Sequence, residues 1–324
     1  MISIIESLEP DSKWNDRLID SNFATIYQTK EIATIYSKQH LFPKYLTFLN
    51  NSGKIIAQLL VFESKRFEKK KFLSKLLRNF PNIKKSTYTW RYGPIIFDIE
   101  NSAEIFLQLG KFLKEKNCKV SGVTHPFLQD NISKIGNNFT LKLWSTYVID
   151  LSKSKDILYK NIRKNSGRKN IERSIERGVI IEQINDKSLH DYYELKNQMI
   201  DESGVGIRVS FSDLQERWNL LKPLGYSGFI TKHNDEVIGG LFFSFMNNHI
   251  IEGGLIRSKQ DSEKKLYSQD LIKWKIIEWG LNHKMNYYNL AGFNPAPLNQ
   301  KEQGILRYKQ KWGGVKQNYI IINR

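Results

Sequence analysis

The sequence predicts an α/β protein built from two tandem domains of one fold. Three observations carry this reading. A chain of 324 residues is long enough for two ordinary domains. An order of hairpin, strand, helix and strand occurs twice along it. Within the two hairpins, Lys54-Ile55-Ile56-Ala57-Gln58-Leu59-Leu60-Val61-Phe62 lines up with Glu236-Val237-Ile238-Gly239-Gly240-Leu241-Phe242-Phe243-Ser244, and apolar and small positions coincide almost throughout.

The first copy reads as a helix over Ile26–Lys38, followed by apolar, β-branched runs at Tyr45–Leu49 and Lys54–Glu63. The turn Asn50-Asn51-Ser52-Gly53 between them is a hairpin signal. After a basic stretch come a strand at Gly93–Phe97, a helix over Ala103–Lys116 and a strand at Lys119–Val123. The second copy opens on a helix that starts at Ser152-Lys153-Ser154-Lys155-Asp156 and runs to Arg177, where Gly178 stops it before the strand Val179-Ile180-Ile181. Phe229–Thr231 and Val237–Met246 flank the turn His233-Asn234-Asp235, and His249–Ile256 is the next strand. In the helix Leu266–Lys284, residues Tyr267, Leu271, Trp274, Ile277 and Leu281 recur at three- and four-residue steps and form one apolar stripe. The strand Tyr287–Leu290 completes the copy, and the basic segment Gly304–Gly314 reads as an exposed amphipathic turn. The domains are residues 1–148 and 149–324, with the closing strand returning to contact the first domain.

Composition narrows the setting. Fifty Lys+Arg against 33 Asp+Glu give a net charge of +17, a field that attracts nucleic acid, nucleotide-linked substrates or an anionic membrane surface. Abundant Lys, Ile and Asn would also follow from codon bias alone. The single cysteine, Cys118, excludes an internal disulfide and reads as a core residue. The acidic start, Met1 to Trp14, lacks the pattern of a signal peptide, and no apolar run reaches the roughly 20 residues that span a bilayer. A reducing, cytoplasmic setting is expected. No metal cluster, Ser-His-Asp arrangement, Walker loop or Rossmann glycine fingerprint is legible.

Three basic constellations remain. Lys65-Arg66, Lys69-Lys70-Lys71 and Lys84-Lys85 alternate with Phe67, Phe72 and Phe80; a solvated loop and a phosphate or membrane contact are both open readings. From Lys160 to Arg173, including Arg163, Lys164, Arg168 and Lys169, positive charge covers nearly every helical face and exceeds what Glu172 and Glu176 can pair. Arg307, Lys309 and Lys311 surround Tyr308 and Trp312.

Arg168-Lys169-Asn170-Ile171-Glu172-Arg173-Ser174-Ile175-Glu176-Arg177-Gly178-Val179 resembles the basic helix of the FemABX peptidyltransferases, a family of two tandem GNAT-like domains. Gly304-Ile305, Tyr308-Lys309 and Trp312-Gly313 resemble its closing motif, Tyr287-Tyr288-Asn289-Leu290-Ala291-Gly292 its Tyr-Asp-Leu-Gly-Gly strand, Tyr92-Gly93-Pro94-Ile95 its first-domain strand, and Gln28-Thr29 its early Gln-Ser/Thr. The resemblance spans nearly the whole chain. It implies that each domain is a mixed, mostly antiparallel sheet flanked by helices, and that the activity is acyl transfer onto an amine. It places Lys309 at the anionic end of the donor or at the developing oxyanion, with Tyr308 stacked beside it. Arg163, Lys164, Arg168 and Lys169, with Lys264 and Lys265, would hold donor phosphates. Tyr92, Asp98, Arg208, Glu252 and Tyr288 would meet the acceptor, and Asp98, Glu252 and Tyr288 are the candidates for a general base. Two positions depart from the family pattern: Ser212 replaces an aromatic, and Ile250-Ile251-Glu252 lacks a tyrosine.

GNAT-type folds polarise the acyl carbonyl by splaying two parallel strands, here His249–Ile256 and Tyr287–Leu290, so that an unpaired backbone N–H faces it. The Arg257–Lys265 turn carries no glycine, unlike the loop that holds a CoA pyrophosphate, which favours aminoacyl-tRNA as co-substrate over acyl-CoA. The expectation is a monomeric acyltransferase without metal or cofactor, at work in the cytoplasm or at the inner face of the membrane. It would move an aminoacyl group from charged tRNA to an amine of an anionic, peptidoglycan-type envelope precursor such as a nucleotide-linked sugar. Two alternatives stay open: an acyl-CoA- or carrier-dependent N-acyltransferase of a nucleotide-sugar or polysaccharide precursor, and a non-catalytic RNA- or anion-binding GNAT-like module.

Overall fold

The computed structural model describes residues 2–19, 21–64, 86–128, 131–204 and 206–324. The first basic constellation, at residues 65–85, lies outside them. The chain forms two compact units, Met1–Ser145 with Gln317–Arg324, and Thr146–Lys316. The division therefore falls at Ser145/Thr146, and the tail expected in the second domain belongs to the first unit.

The first unit contains β1 (Ser3–Ser7), α1 (Trp14–Ile19), α2 (Lys30–Ser37), β2 (Phe42–Leu49), β3 (Ile55–Ser64), β4 (Thr87–Trp90), β5 (Ile95–Ile96), α3 (Ser102–Glu115) and β6 (Lys119–Val123). Strand β7 (Thr140–Asp150) leads into the second unit. There follow α4 (Lys155–Asn161), α5 (Lys169–Glu176), β8 (Ile180–Gln183), α6 (Leu189–Ser203), α7 (Phe211–Leu221), β9 (Tyr226–His233), β10 (Glu236–Met246), β11 (His249–Arg257), α8 (Lys259–Glu263), α9 (Ser268–Asn282), β12 (Tyr287–Phe293) and α10 (Gln300–Gln310). Strand β13 (Val315–Asn323) ends the chain.

Each unit repeats one plan. In the first the strand order is β1-β2-β3-β4-β6-β13, with β5 paired to β3; β4–β6 is parallel and its neighbours pair antiparallel. In the second the order is β7-β12-β11-β10-β9-β8, and the parallel pair is β11–β12. A parallel pair needs a crossover, supplied by α3 in one unit and α9 in the other. This is the two-domain GNAT-like fold expected from the sequence. Each unit closes over its own core: Leu46, Phe48, Leu59, Trp90, Phe106 and Ile322 lie in one, and Phe243, Ile272, Ile276, Tyr288, Leu290 and Trp312 in the other.

Four local readings are corrected. The strand expected at Gly93–Phe97 shortens to Ile95–Ile96, which pairs with β3, and β6 pairs with β4. The helix read through Arg177 breaks, because Ile162 is extended (ψ 133°) and its side chain fills the space where Gly167 lacks one; a π-helical turn, Lys164–Arg168, bridges α4 and α5. The closing segment is a helix rather than a turn. Asn299 caps α10 by accepting the Glu302 N–H at 3.0 Å, and Glu302 accepts the Leu298 N–H at 2.8 Å. The glycine-free turn after β11 contains a short helix, α8, capped by Ser258. Elements β1, α1, β7, α6 and α7 add to those expected from the sequence, and β13 is the expected closing strand. Among the described residues, no helix is long and apolar enough to cross a membrane.

Two glycines in helices should respond oppositely to alanine. A methyl on Gly110 of α3 would strike the Ile135 carbonyl, so Gly110→Ala should lower stability by about 1–3 kcal/mol in urea unfolding. Gly304 of α10 has nothing within 4 Å of its missing Cβ, and Gly304→Ala should raise stability by about 0.5–1 kcal/mol.

Candidate active site

Strands β11 and β12 pair at only three positions, His249↔Tyr287, Ile250↔Tyr288 and Ile251↔Asn289, although both continue beyond. The separation has a cause on each strand. On β11, the register against β10 passes from Phe243↔Glu252 to Leu241↔Leu255, so Gly253 and Gly254 together oppose Phe242. This bulge bends β11 away after Glu252. A side chain at Gly253 would press on the Phe242 carbonyl 2.7 Å away, and Tyr192 Oη donates to Gly254 O at 3.2 Å. On β12, Ala291 adopts φ +59°, a left-handed conformation that is uncommon outside glycine. Asn289 Oδ1 accepts the Ala291 N–H at 2.9 Å, and Thr146 Oγ1 lies 2.6 Å from Asn289 Oδ1 and 2.8 Å from Ala291 O.

Side chains from five elements gather behind this gap. Lys309 of α10 donates from Nζ to Leu290 O and, at 3.0 Å, to Ala291 O, the first β12 carbonyls past the ladder. Glu252, only 8% exposed, accepts from Lys273 of α9, which is completely buried, and from Tyr288 Oη at 3.1 Å. Asp270, one helical turn before Lys273, pairs with Lys311 and accepts from Asn170 Nδ2 at 2.8 Å. The Tyr308 ring has two ammonium groups near its centroid, Lys311 at 4.2 Å and Lys273 at 5.4 Å, and its buried hydroxyl has no hydrogen-bond partner among the described residues. Three lysines against two carboxylates leave this cluster one positive charge.

Burial dominates the titration of the cluster. It lowers the Lys309 ammonium to about 8, with Glu252 opposing and Lys273 reinforcing the shift. It raises Asp270 and lowers Lys311 despite their ion pair. The Tyr288 and Tyr308 phenols move well above their usual value, through burial and then the neighbouring carboxylates.

The fold thus brings Glu252, Tyr288, Tyr308 and Lys309 together. Tyr288 is poorly suited as a base, because its proton is held against Glu252, and Glu252 already serves Lys273. Arg163, Lys164 and Lys169 stand exposed where α5 begins, while the Arg168 guanidinium lies 5.9 Å from the Tyr159 ring centroid. Lys264 and Lys265 are exposed after α8, and Arg177 donates to both of their carbonyls, which ties this turn to the far end of α5. Arg208 is exposed and paired with Asp201. Tyr92 and Asp98 lie in the first unit. Tyr92 sits at φ +51° beside Tyr27 and His125, with ring centroids at 5.6 and 6.1 Å, and Asp98 accepts from Asn101 at 2.8 Å. Sequence reasoning missed Asp270, Lys273, Asn170, Thr146 and Asn289. The one available signal was charge at Asp270 and Lys273 amid Leu271, Ile272 and Trp274.

The corresponding pair in the first unit does not open. It runs from Thr87↔Lys119 to Trp90↔Gly122, and the Gly93 N–H then donates to Val123 O at 3.0 Å. The Trp90 indole covers Gly122 and donates to Gly93 O at 3.1 Å.

No protein-family model matches the chain, and no curated protein does. Among solved structures, the crystal structure of FemX superposes with a TM-score of 0.71 at 11% identity, over 98% of this chain and 96% of that one. The chain has a FemX-like fold. L-PGS from Bacillus licheniformis follows at 0.59 and 10%, over 97% and 92% of the two chains. A tandem GNAT protein from the clavulanic acid biosynthesis pathway gives 0.55 and 8%, over 100% and 98%. The FemX-like fold agrees with the FemABX resemblance drawn from the motifs.

Two variants probe the architecture of the site. Lys273→Met strands the Glu252 carboxylate and should cost about 3–5 kcal/mol in denaturant unfolding; adding Glu252→Gln should recover most of it. Ala291→Val places a β-branched residue at φ +59° and should destabilise by at least about 1 kcal/mol.

Proposed function

We propose that the protein is an acyltransferase that moves an aminoacyl group from aminoacyl-tRNA to an amine of a cell-envelope precursor. The observation that carries this reading is the opened β11–β12 pair with a net-positive lysine cluster behind it. An ester carbonyl laid in such a gap meets backbone groups released from the ladder, and preorganised donors of this kind are worth on the order of 3 kcal/mol. Holding the amine and the acyl carbon together supplies much of the rest. The fold likeness to FemX and L-PGS supports transfer chemistry of this class.

The donor follows from the surface. Exposed Arg163, Lys164 and Lys169, with Lys264 and Lys265 tied to the same helix through Arg177, suit a phosphodiester chain. The turn after β11 offers no glycine for backbone capture of a pyrophosphate. No cofactor or metal is invoked, and the acceptor is an anionic, nucleotide-linked sugar of the peptidoglycan type. The setting is the cytoplasm or the inner face of the membrane, and the protein acts as a monomer. Acyl-CoA is the second reading of the donor, favoured by the likeness to the tandem GNAT protein.

Purified protein incubated with charged tRNA and, separately, with acyl-CoA tests this directly. Release of the acyl group that depends on an added amine supports transfer, and tRNA binding without turnover would leave only a binding module. Lys309→Ala should lower turnover at least tenfold with the fold intact by circular dichroism. Lys164→Ala with Lys169→Ala should raise the KM for charged tRNA and flatten its salt dependence, by about one unit of slope for each phosphate no longer neutralised.

A further inference from the structure

We propose that Lys309 is the proton acceptor for the attacking amine. The inference rests on the acyl-transfer reading above and goes beyond donor contact. A primary amine reaches the site at neutral pH as an ammonium ion without a lone pair, so a neighbouring group must take a proton before the C–N bond can form. Among the other titratable groups of the cluster, Glu252 is engaged with Lys273 and Tyr288, and Asp270 with Lys311 and Asn170, while burial holds the unpartnered Tyr308 phenol in its protonated form.

Lys309 differs in how it is held. Nζ donates to Leu290 O and Ala291 O, where β12 has already left β11. A neutral amine has two N–H groups and one lone pair. With both N–H groups on those carbonyls, tetrahedral geometry turns the lone pair away from the β12 backbone. Nζ donates to the two carbonyls of β12, and the charged groups that act on it through space are Glu252 of β11 and Lys273 of α9. Burial brings its titration to about 8, so a fraction on the order of one tenth is neutral at pH 7.

Neutral Lys309 takes one proton from the ammonium ion, and the freed amine attacks the acyl carbon to form the C–N bond. The adduct loses its second N–H proton to the leaving atom as the bond to the donor breaks, C–O to oxygen for a tRNA ester and C–S to sulfur for acyl-CoA. Lys309 then returns its proton to solvent, and the net products are the amide, the freed hydroxyl or thiol and one proton.

The test compares Lys309→Arg, Lys309→Ala and wild type with whichever donor, charged tRNA or acyl-CoA, the wild type consumes. Arginine keeps the cation and can still donate to carbonyls but cannot give up its proton. Lys309→Arg should therefore lose at least a hundredfold in kcat while the donor KM stays within about threefold. Small primary amines added to Lys309→Ala should restore turnover at rates that rise with their basicity. In wild type, the acid limb of kcat/KM should lie near 8 and stay in place when the acceptor amine is replaced by one of different basicity. Retention of kcat within threefold in Lys309→Arg, failure of rescue, or a limb that follows the acceptor overturns the proposal. If the wild type consumes neither donor, the acyl-transfer reading fails separately. NMR titration of the Lys309 side chain in the resting protein tests the premise of the proposal apart from that reading. A midpoint near 8 that falls in Glu252→Gln and rises in Lys273→Met sustains the premise that Lys309 can accept a proton, and an Nζ still protonated at pH 10 overturns the proposal.

Discussion

The second unit depends on a parallel ladder that stops after three residue pairs. An antiparallel sheet can carry backbone pairing to its edges, but β11 and β12 leave each other while both are still strands. Backbone groups released in the interior must find partners or cost several kcal/mol each. The chain answers on both sides: the Gly253–Gly254 bulge redirects β11, and Lys309, Asn289 and Thr146 take up the polar groups of β12 around Ala291. The gap is thus built and braced rather than left as a defect. Its counterpart in the first unit is closed by the Trp90 indole over Gly122. One fold used twice has been opened in only one copy.

The ion cluster follows from the same opening. Lys309 cannot reach the carbonyls of β12 without being buried, and a lone ammonium there would be costly. Glu252 offsets it and is itself held by Lys273 and Tyr288. Asp270 with Lys311 then anchors the helix that presents Tyr308 and Lys309, and Asn170 extends the chain of contacts to the start of the basic helix α5. Each member depends on another element, so the arrangement exists only when the unit is folded. Its result is a lysine held near its titration point beside a place where an acyl group can lie.

Much of the fold was legible in the sequence. The hairpins showed by paired apolar runs and turn residues, the crossover helix α9 by its apolar spacing, and the duplication by ordered recurrence. The losses were physical in origin. Helix α9 showed an apolar stripe at Leu271, Trp274 and Ile277, but the helix is buried on nearly every side, and periodicity says nothing of polar residues that find partners inside. Helix α10 was hidden by Gly304 and its run of basic residues, although Asn299 and Glu302 carried a capping signal. Strand β4 falls between the basic stretch and the strand expected at Gly93–Phe97, and no expectation covered it. Of the site, Glu252, Tyr288, Tyr308 and Lys309 could be named from motifs, whereas Asp270, Lys273 and Asn170 could not.

By itself the sequence determined the fold class, its repetition, the strong positive charge and the residue types at the ends of the key strands, because these follow from local patterns along the chain. Only the tertiary structure decided which lysines are buried, which carboxylate faces which ammonium, and where the parallel ladder stops. Those outcomes depend on residues as far apart in sequence as Thr146 and Asn289, or Asn170 and Asp270, whose proximity no local pattern encodes.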